Sequence, residues 1–162
     1  MELALIPNQE CKSVIDNIID NIYLGNYQSH KGFKGSIINL SAYDYEVDYR
    51  YKLLRIVISD YRDANENISQ YFDKCIEFIE ENNNDNILIH CNEGVSRSVS
   101  IMITILIKKY GYTLKDAIEY LKSKRTHPTF PKRHFFKQLI ELENQCYGIC
   151  SVNKKDYIKL FS

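Results

Sequence analysis

Glycine and proline are scarce in this 162-residue chain, at six and three residues. With 44% apolar residues, 12% aromatic, that scarcity excludes a disordered or low-complexity chain and describes a globular one. No sign of charge is in excess: 21 Lys and Arg balance 21 Asp and Glu. A neutral chain without a nucleic-acid motif argues against broad nucleic-acid binding. Long apolar runs are missing, since the stretch 99–107 is too short to span a bilayer, and the N-terminus has neither a signal-peptide pattern nor a lipidation motif. A soluble cytoplasmic or nuclear protein with no membrane partner is therefore expected. The cysteines (Cys11, Cys75, Cys91, Cys146 and Cys150) are odd in number and irregular in spacing, which argues against a disulfide framework and for a reducing compartment. Cys146 and Cys150 could lie one helical turn apart, but without nearby histidines they make a poor metal site, so no metal or other cofactor is expected. The length suits a single domain, 1–162, with one substantial core.

What is present centres on His90-Cys91-Asn92-Glu93-Gly94-Val95-Ser96-Arg97-Ser98. The apolar run Ile87-Leu88-Ile89 precedes it and Val99 to Ile107 follows, so the segment reads as buried strand, tight loop, buried helix. A loop turning from a strand into a helix N-terminus aims backbone N–H groups inward, and with the helix dipole these make an anion site fit for a phosphate group. The same field favours thiolate over thiol, which makes Cys91 a candidate nucleophile. Arg97 adds a planar fork of donors matched to two phosphate oxygens, and Gly94 lets the backbone turn with its amides facing in. The competing reading, a buried structural cysteine beside an apolar strand, explains Cys91 alone but not the spacing of the other residues.

Cys-x5-Arg with His before and Ser after resembles the signature of the cysteine-dependent phosphatases, and His-Cys-x-x-Gly-Val-Ser-Arg-Ser resembles the dual-specificity protein phosphatases in particular. The resemblance covers roughly residues 14–145 and extends to Tyr23-Leu24-Gly25 and to Pro131-x3-Phe135-x2-Gln138-Leu139. It departs at Lys132, where the family usually has an asparagine supporting the active-site loops, and at Val99, where a small residue is usual. It implies a phosphocysteine mechanism with Cys91 as nucleophile, Asn92, Glu93, Gly94, Val95, Ser96 and Arg97 binding the phosphate, and Ser98 donating its hydroxyl to the sulfur. Capping the following helix is a second role open to Ser98.

Along the chain, residues 14–21 read as a hairpin or a short helix. Strands are expected at 22–26, 36–40, 53–58 and 87–89, with a short helix before Gly35 and a loop or ribbon over 43–51. Ile68, Tyr71, Phe72, Cys75, Ile76 and Ile79 recur at helical spacing behind a cap at Asn65 or Asn67. Later helices are expected over 98–110, over 113–124 behind the Thr113-x-x-Asp116 box, and from Pro131 onward. Residues 146–162 are a tail or a docked segment. Strand, helix, strand over 53–89 implies a parallel crossover, and active residues gather at the carboxyl ends of such strands. The expected class is a three-layer α/β/α domain around a mainly parallel sheet of four or five strands.

A general acid must be a carboxyl from a neighbouring strand end. Asp60 follows the strand 53–58 and sits thirty-one residues before Cys91, where the resembled family places its acid about thirty before; Asp63 is the rival if this loop is longer than usual. His90 suits a loop-orienting role rather than proton transfer. Charge is unevenly spread, −7 over residues 1–90 and +7 over 91–162. Lys122, Lys124, Arg125, Lys132, Arg133 and Lys137 form either a solvated face or a rim steering phosphorylated substrates. Phosphatases of the superfamily that act on inositol lipids tend to carry lysines in the loop crown, whereas Glu93 and Val95 offer repulsion and an apolar wall. The expected function is hydrolysis of phosphotyrosine and of phosphoserine or phosphothreonine in proteins. The alternatives are the same chemistry on RNA 5′-phosphates or phosphoinositides, or a weak phosphoprotein-binding module. Oligomeric state is not legible.

Overall fold

The structure, a computed structural model, describes residues 12–59 and 66–162. Five strands, β1 (Ile15–Ile19), β2 (Ile22–Gly25), β3 (Ser36–Asn39), β4 (Leu53–Arg55) and β5 (Ile87–His90), form one sheet in the order β1-β2-β5-β3-β4. β1 and β2 are an antiparallel hairpin, and every other pair is parallel. The hairpin alternative for residues 14–21 is thus the one adopted, turned at Asp20 with φ +47°, a conformation that aspartate tolerates better than most residues. β4 is shorter than the expected 53–58. Its partner β3 ends at Asn39, whose side-chain oxygen takes Ser41 N and turns the chain away, so pairing stops once Ile56 N has donated to Asn39 O.

The α-helices are α1 (Phe72–Glu81), α2 (Arg97–Lys108), α3 (Leu114–Lys124), α4 (Arg133–Tyr147) and α5 (Tyr157–Phe161). All of Arg97 to Ile107 is buried, because α2 lies between the sheet and α1, α3 and α4. Its buried hydroxyls are satisfied one turn back: Ser100 Oγ donates to Ser96 O and Thr104 Oγ1 to Ser100 O. Two helix starts differ from expectation. Asn67 makes no side-chain cap; Gln138 of α4 instead accepts from Ser69 N at 2.9 Å and donates to Glu66 O, and a 3-10 turn over Ile68–Tyr71 leads into α1. Asn65 lies outside the described residues. The last helix begins at Arg133 rather than Pro131, because Lys132 is still extended. Thr113 does cap α3, accepting from Asp116 N. Residues 151–161 are docked: Val152, Tyr157 and Phe161 are buried in the core.

Alternation along β5 sorts the two faces. Ile87 and Ile89 join the helix-side core, while Leu88 and His90 face the other way. That second face is covered by a thin layer, the 3-10 turn Tyr27–His30 and the loop that carries Tyr45. His90, fully buried, hydrogen-bonds Tyr45 Oη through Nε2 and Cys91 O through Nδ1, and His30 stacks on Tyr45. A carbonyl can only accept, so Nδ1 carries the proton and Nε2 accepts from the phenol. Burial pulls the pKa of His90 down to about 4, partly offset by the bond to Cys91 O, and the imidazole is neutral near pH 7.

The unfolded chain protonates this histidine below about pH 6.5. The folded one resists until about pH 4, so its stabilising contribution is complete above the first value and is lost progressively as pH falls from the first to the second. Urea unfolding should show wild type losing about 2 kcal/mol through this residue between pH 7.5 and 5. His90→Asn should lack that part of the loss, and equal losses in both proteins would remove His90 as its source.

Candidate active site

β5 delivers Cys91 to the carboxyl edge of the sheet, between β2 and β3, and α2 begins at Arg97. The six residues between strand and helix are shaped by what their carbonyls bond. Cys91 O accepts from His90 Nδ1 at 3.2 Å, Asn92 O from Tyr27 N at 3.1 Å and Glu93 O from His127 Nε2 at 2.9 Å. Gly94 O accepts from Arg125 Nη1 at 2.6 Å, Val95 O from Phe130 N at 2.9 Å and Ser96 O from Ser100 N at 2.9 Å. In a trans peptide the N–H opposes the C=O, so the amides of residues 92–97 turn to the other side, into the loop. Gly94 N accordingly points at Cys91 Sγ, 3.2 Å away.

Glycine is required twice here. Gly94 has φ +74°, and a Cβ on it would lie 2.7 Å from Gly25 O. A Cβ on Gly25 would in turn meet Ser29 Oγ at 2.4 Å and Val14 O at 2.5 Å. The end of β2 and the crown of the loop thus pack backbone to backbone.

Cys91 is 2% exposed and sits at the focus of the loop, with Ser98 Oγ 3.1 Å from its sulfur. Ser98 lies inside the first turn of α2 and does not cap it; its hydroxyl faces the sulfur. Arg97, 8% exposed, donates from Nη1 to Ile58 O at 3.0 Å, which fixes the guanidinium against the chain leaving β4. Beside it opens a cleft of about 240 Å³ lined by Ser41, Ala42, Val57, Ile58, Ser59, Asn92 and Arg97. Asn92 holds its near wall, accepting from Ala42 N at 2.9 Å through its side chain. Glu93 is exposed and Val95 half-buried on the outer side. Ser96 is buried and its hydroxyl accepts from Lys132 N at 2.9 Å. Asp60 and Asp63 both lie outside the described residues; Ser59 and Glu66, which flank them in sequence, are joined by a bond from Ser59 N to Glu66 Oε1.

The basic run divides. Arg125 belongs neither to a rim nor to a solvated face: its side chain is 1% exposed, bonded to Gly94 O and paired with Asp16 at 3.4 Å. Lys122 donates to Leu160 O, and Arg133 lies over the Tyr157 ring. Lys124, Lys132 and Lys137 remain at the surface. Sequence reasoning missed Asp16, Arg125, Tyr27, His127 and Phe130 as loop supports. Tyr27 and Phe130 act through backbone amides, which carry no residue signature, and Asp16 meets Arg125 across 109 positions. Among the described residues, no group of three or more His, Cys, Asp or Glu could hold a metal ion, and no helix is long and apolar enough to cross a membrane.

A tetrahedral anion seated over Cys91 Sγ would meet inward amides and the Arg97 fork, in a setting where such donors act at greater strength than in water. The model of the family described as Dual specificity phosphatase, catalytic domain, matches residues 22–145. Dual specificity protein phosphatase 1 of Arabidopsis thaliana is 42% identical over 98 residues, 59% of this chain and 47% of that protein. The chain thus spans about half the length of that relative. Among solved structures, human DUSP28 superposes with TM-score 0.70 at 19% identity over 83% of this chain and 96% of that one, a likeness of fold. The human tyrosine phosphatase-like serine/threonine/tyrosine-interacting protein does so with TM-score 0.68 at 26% identity, over 81% and 96%. With the family match enclosing the strand, loop and helix that hold Cys91 and Arg97, the chain belongs to the dual-specificity phosphatase family.

Proposed function

We propose that this chain hydrolyses phosphotyrosine and phosphoserine or phosphothreonine in proteins through a phosphocysteine intermediate. The observation that carries the reading is the position of Cys91 Sγ, which takes bonds from Gly94 N and faces Ser98 Oγ inside a loop whose carbonyls are all turned outward. The Cys91 thiolate attacks phosphorus, forming the S–P bond as the ester P–O bond breaks. Arg97 and the amides of 92–97 take up charge on the equatorial oxygens, and a carboxylic acid protonates the leaving oxygen. The resulting carboxylate then accepts a proton from water as that water attacks phosphocysteine, releasing inorganic phosphate. Ser98 Oγ, donating to the departing sulfur, eases the second step.

Asp60 is the proposed acid. Its neighbour Ser59 lines the cleft together with Arg97, which supports a carboxyl from this segment. The substrate reading rests on two features. The cleft beside the loop is walled by the short side chains Ser41, Ala42 and Ser59, consistent with a shallow site open to phosphoserine and phosphothreonine as well as phosphotyrosine. Glu93, exposed at the crown, places a negative charge where polyanionic head groups would need a positive one. Phosphorylated proteins are therefore the proposed partners, and a reducing, cytoplasmic compartment suits the thiolate.

An aryl phosphate should be hydrolysed without added metal, and Cys91→Ser should abolish turnover; undiminished turnover would overturn the mechanism. Asp60→Ala should slow kcat by about a hundredfold or more, and Asp63→Ala far less; the reverse order would move the acid to Asp63. Across phosphopeptides, phosphoinositides and 5′-triphosphorylated RNA, activity is expected on the peptides. Turnover confined to lipid or RNA would reject the protein substrate, and binding of phosphopeptide without any turnover would make the chain a capture module.

A further inference from the structure

We propose that Tyr157, in the docked C-terminal segment beyond the family match, is a positioning residue for the active-site loop. The inference rests on the phosphatase reading and concerns how its loop is held. Three successive backbone groups of the segment 130–132 carry the contact. Phe130 N donates to Val95 O and Lys132 N donates to Ser96 Oγ, both at 2.9 Å, while between them Pro131 O accepts from Tyr157 Oη at 2.7 Å. Pro131 O and Lys132 N belong to one peptide plane, so the phenol fixes one end of the unit whose other end bonds the loop. Proline offers no N–H of its own to hold this turn, and the Lys132 side chain is exposed.

The phenol is itself firmly placed. The Tyr157 ring packs on Phe130, Phe136 and Phe161 with centroids 5.3–5.4 Å away, and the Arg133 guanidinium lies 4.3 Å above it. Upstream, the segment is tied to the core by Glu143, a fully buried carboxylate that accepts from Leu114 N, Ser151 N and Ser151 Oγ. A tail that served only to cover apolar surface would need the rings but not the hydroxyl; the hydroxyl bonds a carbonyl that shares its peptide with one of the loop's supports.

Tyr157→Phe in the full chain keeps the ring and removes the bond. Losing one buried hydrogen bond of this kind should lower kcat on an aryl phosphate about three- to tenfold, with little change in KM. The rate of Cys91 alkylation by iodoacetate at pH 6 should fall in parallel, because the sulfur's surroundings depend on the same loop. Wild-type kcat and alkylation in Tyr157→Phe would overturn the proposal and leave the phosphatase reading intact. A fall in kcat with unchanged alkylation would also overturn it, since the effect would then lie outside the loop. If wild type shows no turnover, the phosphatase reading fails, and the alkylation rates alone decide whether Tyr157 positions the loop.

Discussion

Outward anchoring of the carbonyls from Cys91 to Ser96 is the constraint on which the rest of this structure depends. Inward amides repel one another, so such a loop holds its shape only when each opposing carbonyl is bound elsewhere. The six anchors come from β5 itself, the turn after β2, the segment 125–130 and the first turn of α2. No one element could supply them. The order β1-β2-β5-β3-β4 places β2 beside β5, which brings Tyr27 and Gly25 against the crown, and α3 ends where Arg125 can reach Gly94.

Much of this was legible in the sequence, for physical reasons. The strand at 87–89 and the helix after Arg97 declare themselves because both are buried on nearly every side, so apolar residues run without a break. The loop declares itself because the chemistry proposed for it needs particular side chains at Cys91, Arg97 and Ser98, and its turn needs a particular backbone freedom at Gly94. The anchors were not legible. A backbone N–H at Tyr27 or Phe130 leaves no mark on residue identity, and Arg125 read as one more surface cation until its position beneath the loop was known. The start of α1 was misplaced for a related reason: Gln138, a residue of another helix, satisfies the amide that a local cap was expected to take. Asp60 and Asp63 stay as the sequence left them, two candidates on one segment.

Charge explains why the supports are built as they are. Two guanidiniums, Arg97 and Arg125, are buried within one loop's reach of a single sulfur. Burial presses Arg125 toward neutrality, and the Asp16 carboxylate and the Cys91 sulfur oppose that pressure. Breaking such a pair leaves an uncompensated buried charge, which is far more costly than the pair itself is stabilising. Asp16 therefore matters as the partner that lets a cation sit behind the loop. Arg97 is held differently, donating to the Ile58 carbonyl at the edge of the cleft that its guanidinium lines. One cation is paired behind the loop to hold its backbone, and the other lines the cleft in front of it.

The His90 environment obeys the same logic from the opposite side. An imidazolium here would place a buried positive charge next to Cys91, whereas a neutral ring bonded to Cys91 O and Tyr45 fixes the strand's last peptide without adding charge. Burial under the thin layer of Tyr27–His30 and Tyr45 keeps the ring neutral through the range in which a free histidine titrates. That layer carries no long helix, yet it sets the electrostatics at the base of the loop, so covering this face of the sheet and keeping the residue before Cys91 uncharged are one structural requirement.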